Sequence, residues 1–368
     1  MATSKPNLYI GIDGGASSSK LVLIDNTEKK LSEFSSGSCN KNNIGFDSAL
    51  KNVSDGIEGL LTLAKKKKSD IAGLCMTTAG ISMNADKIQW NTALAKYIAG
   101  DKGRDNLLIE VHNDSVGDVA SVCPKKMSGI VAIVGTGFIV CGYKGEPNVE
   151  YRAGGWGPLF GDDASSYFMG EKVLRAAALY YDITGDAHTR FMSDIDKKED
   201  DDTQQKDKID KSKLIEEYGG SKILYTKLMD TSKVKQFAEM VDWAYNAKDK
   251  YKQVAECALL AFDSYNECKV AKQIVDNAVM ALIKRLLLVI NRMYPSDKFD
   301  YNSTDSINII CGGSVMLKSE LFLDLVRTQL MWKLGGDGRQ TYIKFVKPTR
   351  DPQLGGALYI KNKYETSK

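Results

Sequence analysis

This 368-residue sequence has only two histidines, and none of its seven cysteines belongs to a C-x-x-C pair. Structural zinc sites are built from clustered cysteines and histidines, so we expect none here. The odd number of scattered cysteines, several of them inside apolar runs, argues against a disulfide framework. They indicate a reducing compartment, and we expect a cytoplasmic protein.

Long apolar runs and excess charge are also missing. No uninterrupted run approaches the roughly 20 apolar residues of a membrane-spanning helix, and no apolar targeting core is expected before Leu8. The net charge of +3 gives no reason to expect binding to nucleic acid or to a membrane. Fractions of 43% hydrophobic and 26% charged residues are typical of a globular enzyme, and the length suffices for two domains.

What the sequence does contain is a glycine- and serine-rich turn between two apolar runs, 8–12 and 21–24. This pattern predicts a β-hairpin whose small tip residues let a phosphate approach backbone N–H groups and hydroxyls. Asp13, just before the turn, is placed to hold a divalent cation, usually through water. The alternative is an ordinary Gly-Ser turn. The predicted phosphate contacts are Gly14, Gly15, Ala16, Ser17 and Ser18.

A second hairpin of the same kind has Gly135, Thr136 and Gly137 between the apolar runs 129–134 and 138–143. By itself this tip is a weak signal, because tight glycine turns between strands are common. Two related hairpins at the start of two halves indicate a duplicated α/β fold that could hold a triphosphate between the tips.

The duplication predicts an N-terminal domain of residues 1–122 and a larger C-terminal domain of residues 123–368, with a polar insert near 194–213. Hydrophobic periodicity predicts the remaining elements. Strands are predicted at 30–37, 71–76, 107–111, 307–311 and 342–346, and helices at 46–64, 85–99, 165–181, 316–333 and 355–363.

Two segments that follow predicted strands could carry chemistry. Asp114 lies at the strand edge where active groups of α/β folds gather. Its carboxylate could take a proton from an attacking hydroxyl as general base, or it could cap the helix that follows. Gly312, Gly313 and Ser314 would allow close approach of a flat ligand such as an adenine ring, or close packing of a helix on a strand.

Residues 154–163 form the densest unusual segment, with four glycines and a tryptophan in its first eight positions. This composition predicts a shaped loop. Trp156 offers a flat apolar wall, and Asp162 could accept hydrogen bonds from sugar hydroxyls. The alternative is that Asp162 only favours the start of the next helix through the helix dipole.

Together these segments resemble the N-acetylglucosamine kinases of the actin–hexokinase–heat-shock ATPase superfamily, in a consistent order over nearly the whole chain. They are also similar to the dehydratase-activating ATPases (BadF/BadG type) that share this fold. The most specific match is Gly154-Gly-Trp-Gly-Pro-Leu-Phe-Gly-Asp162, which resembles the sugar-site loop of these kinases. The resemblance implies two ribonuclease-H-like α/β domains with the active site in the cleft between them, and a homodimer.

The reaction implied by the resemblance transfers the γ-phosphoryl group of ATP to the 6-hydroxyl of N-acetylglucosamine. Asp114 would be the general base, while Asp13 and Mg²⁺ would manage the charge of the phosphates. The two hairpin tips match the family's phosphate motifs, and Gly312, Gly313 and Ser314 match its adenosine motif. The sugar-contacting residues that it implies are Asn40, Thr77, Asn113, Asp114, Gly155, Trp156 and Asp162.

Three departures from the family pattern leave the sugar open among N-acetylglucosamine, N-acetylmannosamine, glucosamine and glucose. Ala16 replaces a glycine of the first turn, Phe138 replaces a serine after the second, and Asp163-Ala164 replaces Glu-Gly after the sugar loop. Two other functions remain alternatives. One is an ATPase that activates a 2-hydroxyacyl-CoA dehydratase through an iron–sulfur cluster, and the other is a sugar or nucleotide sensor without turnover.

Overall fold

Two five-stranded sheets form the framework of the fold. The computed structural model describes residues 7–15, 17–81, 83–147, 150–184, 210–303, 305–336 and 338–367. The first sheet contains β1 (Leu8–Gly14), β2 (Ser18–Ile24), β3 (Lys30–Gly37), β4 (Ile71–Thr78) and β5 (Leu108–Asn113). The second contains β6 (Ser128–Val134), β7 (Phe138–Lys144), β8 (Glu150–Gly154), β9 (Ile307–Gly312) and β10 (Ile343–Val346).

The two sheets share one strand order and one pattern of directions. In the first sheet the order is β3-β2-β1-β4-β5, with β1–β2 and β2–β3 antiparallel and β1–β4 and β4–β5 parallel. The second sheet repeats this pattern as β8-β7-β6-β9-β10. The predicted fold class, two ribonuclease-H-like α/β units that each begin with a hairpin, is confirmed.

Helices cover both sheets. The first half of the chain contributes α1 (Lys41–Ile44), α2 (Phe46–Ala64), α3 (Asn84–Ala99) and α4 (Asp114–Val122). The second half contributes α5 (Ser166–Thr184), α6 (Lys211–Tyr218), α7 (Lys222–Ser232), α8 (Met240–Tyr245), α9 (Lys250–Glu256), α10 (Ala258–Asp263), α11 (Lys269–Met293), α12 (Gly313–Lys318), α13 (Glu320–Leu334) and α14 (Pro352–Thr366). Among the residues that the structure describes, no helix has the length and apolar character needed to cross a bilayer.

Three groups of buried side chains hold these layers together. One lies between the first sheet and helices α2 and α3, and the largest lies between the second sheet and the helices around α11. The third group combines Tyr9 and Cys75 of the first sheet with Val131 and Cys141 of the second, and with side chains of α4 and α14. A continuous apolar layer therefore joins the two sheets and places the two hairpin units against one another.

Two elements differ from the sequence-based expectation. The predicted helix 316–333 is two helices, α12 and α13. Ser319 separates them because its backbone is extended and its hydroxyl accepts a hydrogen bond from the Phe322 N–H (3.2 Å), which caps α13. No strand was expected at β8, whose sequence Glu-Tyr-Arg-Ala-Gly is short and has no apolar run. Of the predicted insert, residues 194–209 lie outside the described residues, and Asp210 caps α6.

The last helix returns to the first sheet. A Cβ on Gly11 of β1 would lie only 1.8 Å from the carbonyl oxygen of Gln353, so this glycine allows α14 to approach the strand. Gly355 of α14 approaches α4 in the same way, with Ser121 N 2.4 Å from its Cβ position. The division after residue 122 stays a proposal, and α14 packs with the first half of the chain.

A charged cluster ties α14 to the edge strand β5. The Glu110 carboxylate accepts hydrogen bonds from Tyr359 (2.6 Å) and Lys363, and it shares one with His112 Nε2 (2.9 Å). Burial raises the pKa of Glu110, but these partners outweigh burial and lower the pKa from 4.5 to about 2. The ionised carboxylate therefore stabilises the fold above about pH 4.5, and this stability is lost as the pH falls through 2.

We expect Glu110→Gln to lower the free energy of unfolding by about 2–3 kcal/mol at pH 7. The difference from wild type should shrink as the pH falls from 4.5 toward 2, because the wild-type carboxylate then loses its charge. Urea unfolding at several pH values measures both effects. Glu33→Gln is the matched control, since Glu33 forms an exposed pair with Lys30 that is worth about 0–1 kcal/mol. A loss that did not change with pH would assign the effect to packing.

Candidate active site

The first hairpin tip joins β1 to β2. A hydrogen bond from the Gly15 N–H to the Ser18 carbonyl (2.9 Å) closes the turn. A Cβ on Gly14 would lie 2.0 Å from Cys39 Sγ, so only glycine fits at that position. The tip thus offers backbone and hydroxyl groups without bulky side chains. Of the other predicted contacts, Ser17 and Ser18 are exposed, and Ala16 lies outside the described residues.

Acidic side chains gather at the carboxyl edge of the first sheet. Asp13 is near the end of β1, and Asp114 follows β5 directly. The pKa of Asp13 is raised to about 6, mainly by burial and also by the charges of Asp114 and Asp351, while Lys20 opposes the shift. The mutual repulsion of these carboxylates would favour a bound cation at Asp13.

The start of α4 is capped by Asn113. Its Oδ1 accepts hydrogen bonds from the Ser115 N–H (3.3 Å) and hydroxyl (2.9 Å), and its Nδ2 donates to the Ile81 carbonyl (3.3 Å). The N-cap is therefore Asn113 and not Asp114, although the Asp114 Oδ1 also accepts a hydrogen bond from the Ser115 N–H (3.0 Å). Asp114 is the first residue of the helix and directly follows β5. It is near enough to Asp13 for its charge to raise the pKa of that carboxyl.

Sequence reasoning missed a third carboxylate, Asp118, one helical turn after Asp114. The pKa of Asp118 is raised to about 7, mainly by burial and also by the charges of Asp114 and Asp13. Its Oδ2 lies 3.7 Å from the position of a Cβ on Gly312, so it approaches the second sheet. The spacing of four residues from Asp114 could have revealed it, since residues i and i+4 share a helix face.

The second hairpin tip lies beside the turn after β9. The Gly135 carbonyl accepts hydrogen bonds from both the N–H and the hydroxyl of Ser166 (2.8 Å each), and a Cβ on Gly135 would lie 3.8 Å from Ser314 N. Gly313 has φ +78° and its Cβ position is 2.4 Å from the Val134 carbonyl, so no other residue fits. The structure therefore brings the second tip and the predicted adenosine motif together. Thr136 and Gly137 are exposed at this tip.

A cavity of about 550 Å³ opens beside this second tip, a size typical of small-molecule sites. Thr136, Ser166, Ser314 and Val315 line one side. The other side is a stripe on α9 and α10 that the sequence analysis missed, although its spacing is helical: Lys252, Ala255, Glu256, Leu259, Phe262 and Asp263. A larger cavity, about 900 Å³ around Tyr294 and Phe299, lies at the opposite end of the second sheet, away from both tips.

Asp162 anchors the glycine-rich loop to the second tip. Its φ is +58° and its Oδ2 lies 3.3 Å from the position of a Cβ on Gly137. Burial raises the pKa of Asp162 and outweighs four backbone N–H groups that lower it. Its buried Oδ1 has no hydrogen-bond partner among the described residues. The four N–H groups belong to Phe138, Gly155, Trp156 and Gly157.

Two aromatic residues of this region have opposite environments. Phe138 is only 2% exposed and packs under Gly154, so its bulk lies in the core instead of at the phosphate tip. Trp156 is 70% exposed, and the Arg152 guanidinium lies 5.0 Å from its ring centroid. The loop therefore presents a flat aromatic surface to solvent beside the anchored Asp162.

The predicted sugar residues of the first half have structural partners of their own. Asn40 caps α1, where its Oδ1 accepts the Asn42 N–H (3.1 Å), and Gly80 packs against it. Asn113 donates a hydrogen bond to the carbonyl of Ile81, the residue after Gly80. The segment 80–81 therefore brings Asn40 and Asn113 near one another. Thr77 is fully buried instead, and its hydroxyl donates to the Ile12 carbonyl (3.2 Å) beneath α4. A sugar contact for each of these residues stays a prediction.

Comparisons with known proteins show which family and which enzymes the chain is similar to. Residues 10–333 match the BadF/BadG/BcrA/BcrD ATPase family. An N-acetyl-D-glucosamine kinase of Dictyostelium discoideum is 22% identical over 363 residues, covering 96% of this chain and 98% of that protein. An N-acetylmuramic acid/N-acetylglucosamine kinase of Clostridium acetobutylicum is 29% identical over 178 residues, covering 48% of this chain and 55% of that protein.

A solved structure from Chromobacterium violaceum, provisionally named an N-acetylglucosamine kinase, superposes with a TM-score of 0.56. The two chains are 16% identical, and the superposition covers 97% of this chain and 100% of that one. This likeness supports the two-unit fold. Since the family match extends over most of the sequence and includes both hairpins, Asp13, Asp114 and the glycine-rich loop, the chain belongs to the BadF/BadG/BcrA/BcrD ATPase family.

Proposed function

We propose that the protein is an ATP-dependent kinase that phosphorylates the 6-hydroxyl of N-acetylglucosamine. The observation that carries the proposal is the placement of the glycine-rich loop, which Asp162 anchors directly to the second phosphate tip. A sugar held on that loop would lie beside the phosphates of a nucleotide. Relatives that carry the name N-acetylglucosamine kinase support the choice of sugar.

The nucleotide would occupy the cavity and both tips. Its base and ribose would fit between Val315 and the stripe that contains Leu259. The predicted adenosine motif, residues 312–314, would contact them from the end of β9. The phosphates would then reach the second tip at residues 135–137 and the first tip at residues 14–18. Two tips that offer mainly backbone N–H groups and hydroxyls suit a reaction that depends on positioning and electrostatics.

The chemical step assigns the general-base role to Asp114. The sugar 6-hydroxyl would attack the γ-phosphorus, forming a new P–O bond as the bond to the β-phosphate oxygen breaks and ADP leaves. Asp114 would take the hydroxyl proton and later release it to water. Its place at the end of β5, with Asn113 capping the helix, keeps the carboxylate fixed at the edge of the sheet.

Asp13 is the proposed magnesium-binding residue. A half-buried carboxylate that neighbouring carboxylates repel is a suitable oxygen ligand for a divalent cation. Among the described residues, no three His, Cys, Asp or Glu side chains are close enough to hold a metal alone. Magnesium commonly binds through one or two carboxylates, phosphate oxygens and water. When bound, it would neutralise charge on the transferring phosphoryl group.

We further propose that the sugar contacts Asn40, Asn113, Gly155, Trp156 and the unpartnered Oδ1 of Asp162. Thr77 would support the site indirectly, because its hydroxyl donates a hydrogen bond to the Ile12 carbonyl of β1, the strand that carries Asp13. The N-acetyl group has an apolar methyl that suits the exposed face of Trp156.

The homodimer is also a proposal, which sedimentation analysis of the purified protein tests. The proposal of a cytoplasmic location rests on seven cysteines that form no disulfide, six of them buried.

The dehydratase-activator alternative requires cysteines that can bridge an iron–sulfur cluster. Six of the seven cysteines are buried, and only Cys123 is partly exposed, so the chain does not present such a pair. The sensor alternative predicts nucleotide and sugar binding without ADP formation. The presence of both Asp13 and Asp114 at one edge favours turnover over sensing.

ADP release from MgATP across a sugar panel tests the proposal. The panel contains N-acetylglucosamine, N-acetylmannosamine, glucosamine, glucose and a sample without sugar. We expect the highest kcat/KM with N-acetylglucosamine and a 6-phosphate product in the mass spectrum. Clear nucleotide binding without turnover on any sugar would contradict the kinase proposal and support a sensor.

A further inference from the structure

Tyr143 reaches from the second half of the chain to the start of α4. It lies near the end of β7 and is fully buried, and its ring belongs to the apolar layer between the two sheets. Its hydroxyl lies 2.6 Å from the Oγ of Ser115, the residue that directly follows Asp114. A hydroxyl in an apolar layer is costly unless it is hydrogen-bonded, so this contact offsets the cost of having a tyrosine here.

The direction of each hydrogen bond follows from the donors available. The Ser115 hydroxyl donates its one proton to Asn113 Oδ1 (2.9 Å), because an amide oxygen can only accept. The oxygen of Ser115 is then the acceptor for the Tyr143 hydroxyl. A chain of two hydrogen bonds therefore runs from Tyr143 through Ser115 to the amide of Asn113, and it crosses from the second sheet to the edge of the first.

This chain fixes the orientation of the Asn113 amide. Its Oδ1 accepts both the hydroxyl and the N–H of Ser115 (2.9 and 3.3 Å), so both lone pairs are used within the protein. A reversed amide would place its N–H groups against these two donors. One N–H of Nδ2 donates to the Ile81 carbonyl (3.3 Å), and the other has no acceptor within the described part of the chain. Asn113 is half-buried and therefore offers a ligand a hydrogen-bond donor and no acceptor.

We propose that Tyr143 is a positioning residue for the sugar, which acts through Ser115 to keep the Asn113 amide donating to a sugar hydroxyl oxygen. The proposal rests on the kinase function and on the Asn113 contact proposed above. Asn113 immediately precedes Asp114, so its orientation affects how the sugar lies beside the general base. Since β7 begins directly after the second phosphate tip, one strand of the second half serves both the phosphates and the sugar.

A double-mutant cycle tests whether Tyr143 acts through Ser115. The four full-length proteins are wild type, Tyr143→Phe, Ser115→Ala and the double variant. The measurements are the dissociation constant for N-acetylglucosamine, KM for ATP, kcat and urea unfolding. Tyr9→Phe is the matched control, because Tyr9 is fully buried in the same apolar layer and its hydroxyl has no hydrogen-bond partner among the described residues.

We expect Tyr143→Phe to weaken N-acetylglucosamine binding about 3- to 10-fold, the usual effect of losing one hydrogen bond between neutral groups. Ser115→Ala should weaken it at least as much, because that change breaks both bonds of the chain. The double variant should match Ser115→Ala, because without the Ser115 hydroxyl Tyr143 no longer acts on Asn113. KM for ATP should stay within about twofold of wild type, since the nucleotide does not contact this chain of residues. Tyr9→Phe should change neither constant.

Two results of the cycle would overturn the inference. One is unchanged sugar binding in Tyr143→Phe, even in a less stable protein, because the hydroxyl would then support the fold only. The other is a double variant whose loss equals the product of the two single losses, because Tyr143 would then act independently of Ser115.

Asn113→Asp tests the orientation of the amide by a separate route. Aspartate keeps both acceptor contacts with Ser115 and caps a helix as well as asparagine does, but it has no N–H to offer. Sugar binding should therefore weaken about 10-fold or more. Undiminished binding would contradict the proposal, even if Tyr143→Phe fails to fold. Failure of the kinase proposal is distinguishable, because it would abolish turnover by wild type, whereas the cycle compares sugar binding.

Discussion

Asp114→Asn is expected to lower kcat at least about 100-fold while the affinities for ATP and sugar stay within a few-fold of wild type. Loss of a general base typically costs 10²- to 10⁴-fold in rate. Asparagine has nearly the same shape as aspartate, so the bound sugar should keep its place. The start of α4 should also persist, because Asn113 supplies the cap.

Steady-state ADP release and equilibrium binding of sugar and nucleotide measure the two halves of this expectation. Asp47→Asn is the matched control, since Asp47 is an exposed aspartate in the first turn of α2 and does not line the nucleotide cavity. It should leave kcat unchanged. Near-wild-type turnover of Asp114→Asn would remove Asp114 from the base role and would point to Asp118 as the next candidate.

The elements that the sequence predicted best are those whose hydrophobic pattern is local. The runs before and after each small-residue turn became β1, β2, β6 and β7, because a strand buried on both faces needs an uninterrupted apolar run. Helix α2 was also predicted with its correct bounds, since its apolar residues recur at helical spacing. The duplication followed from these local signals.

Features that depend on distant contacts were not predictable in the same way. The break at Ser319 is one hydroxyl that caps a second helix within a continuous apolar pattern. The packing of α14 on β1 requires Gly11 and Gly355 to meet other elements, and neither glycine has a local signal of that role. The charge cluster of Glu110, Tyr359 and Lys363 spans about two thirds of the chain, so only the fold brings it together.

The candidate site shows the same division. Both tips and the two principal aspartates could be located from the sequence, because each follows a predicted strand, and the glycine-rich loop could be located from its unusual composition. Their environments could not, since burial and neighbouring charge depend on tertiary packing. Asp162 was expected to face the sugar, and the structure shows it mainly organising its own loop, with one oxygen left without a partner. Asn113 likewise has a capping role in addition to the proposed contact.

Asp13→Asn is expected to raise the magnesium concentration that gives half-maximal turnover and to lower kcat by roughly 10- to 100-fold, the usual cost of losing a group that orients a metal or its waters. Sugar affinity should not change, because the proposed sugar contacts lie on other elements. The fold should be at least as stable as wild type, because asparagine removes a buried charge that Asp114 and Asp351 repel.

Turnover at several MgATP and free magnesium concentrations, sugar binding and thermal unfolding test Asp13→Asn together. Asp25→Asn is the control: Asp25 lies just after β2 on the same sheet, and its carboxylate organises only the turn before β3 through Thr27 and Lys29. It should leave the magnesium dependence unchanged.

Loss of sugar binding in Asp13→Asn would place the sugar at the first tip and overturn the assignment of the two tips. An unchanged magnesium dependence with full turnover would show that the phosphates, and not Asp13, hold the cation. A stable variant with weakened magnesium response and intact sugar binding would locate the metal at the end of β1, between the first tip and Asp114, where the attacking hydroxyl and the γ-phosphate must meet.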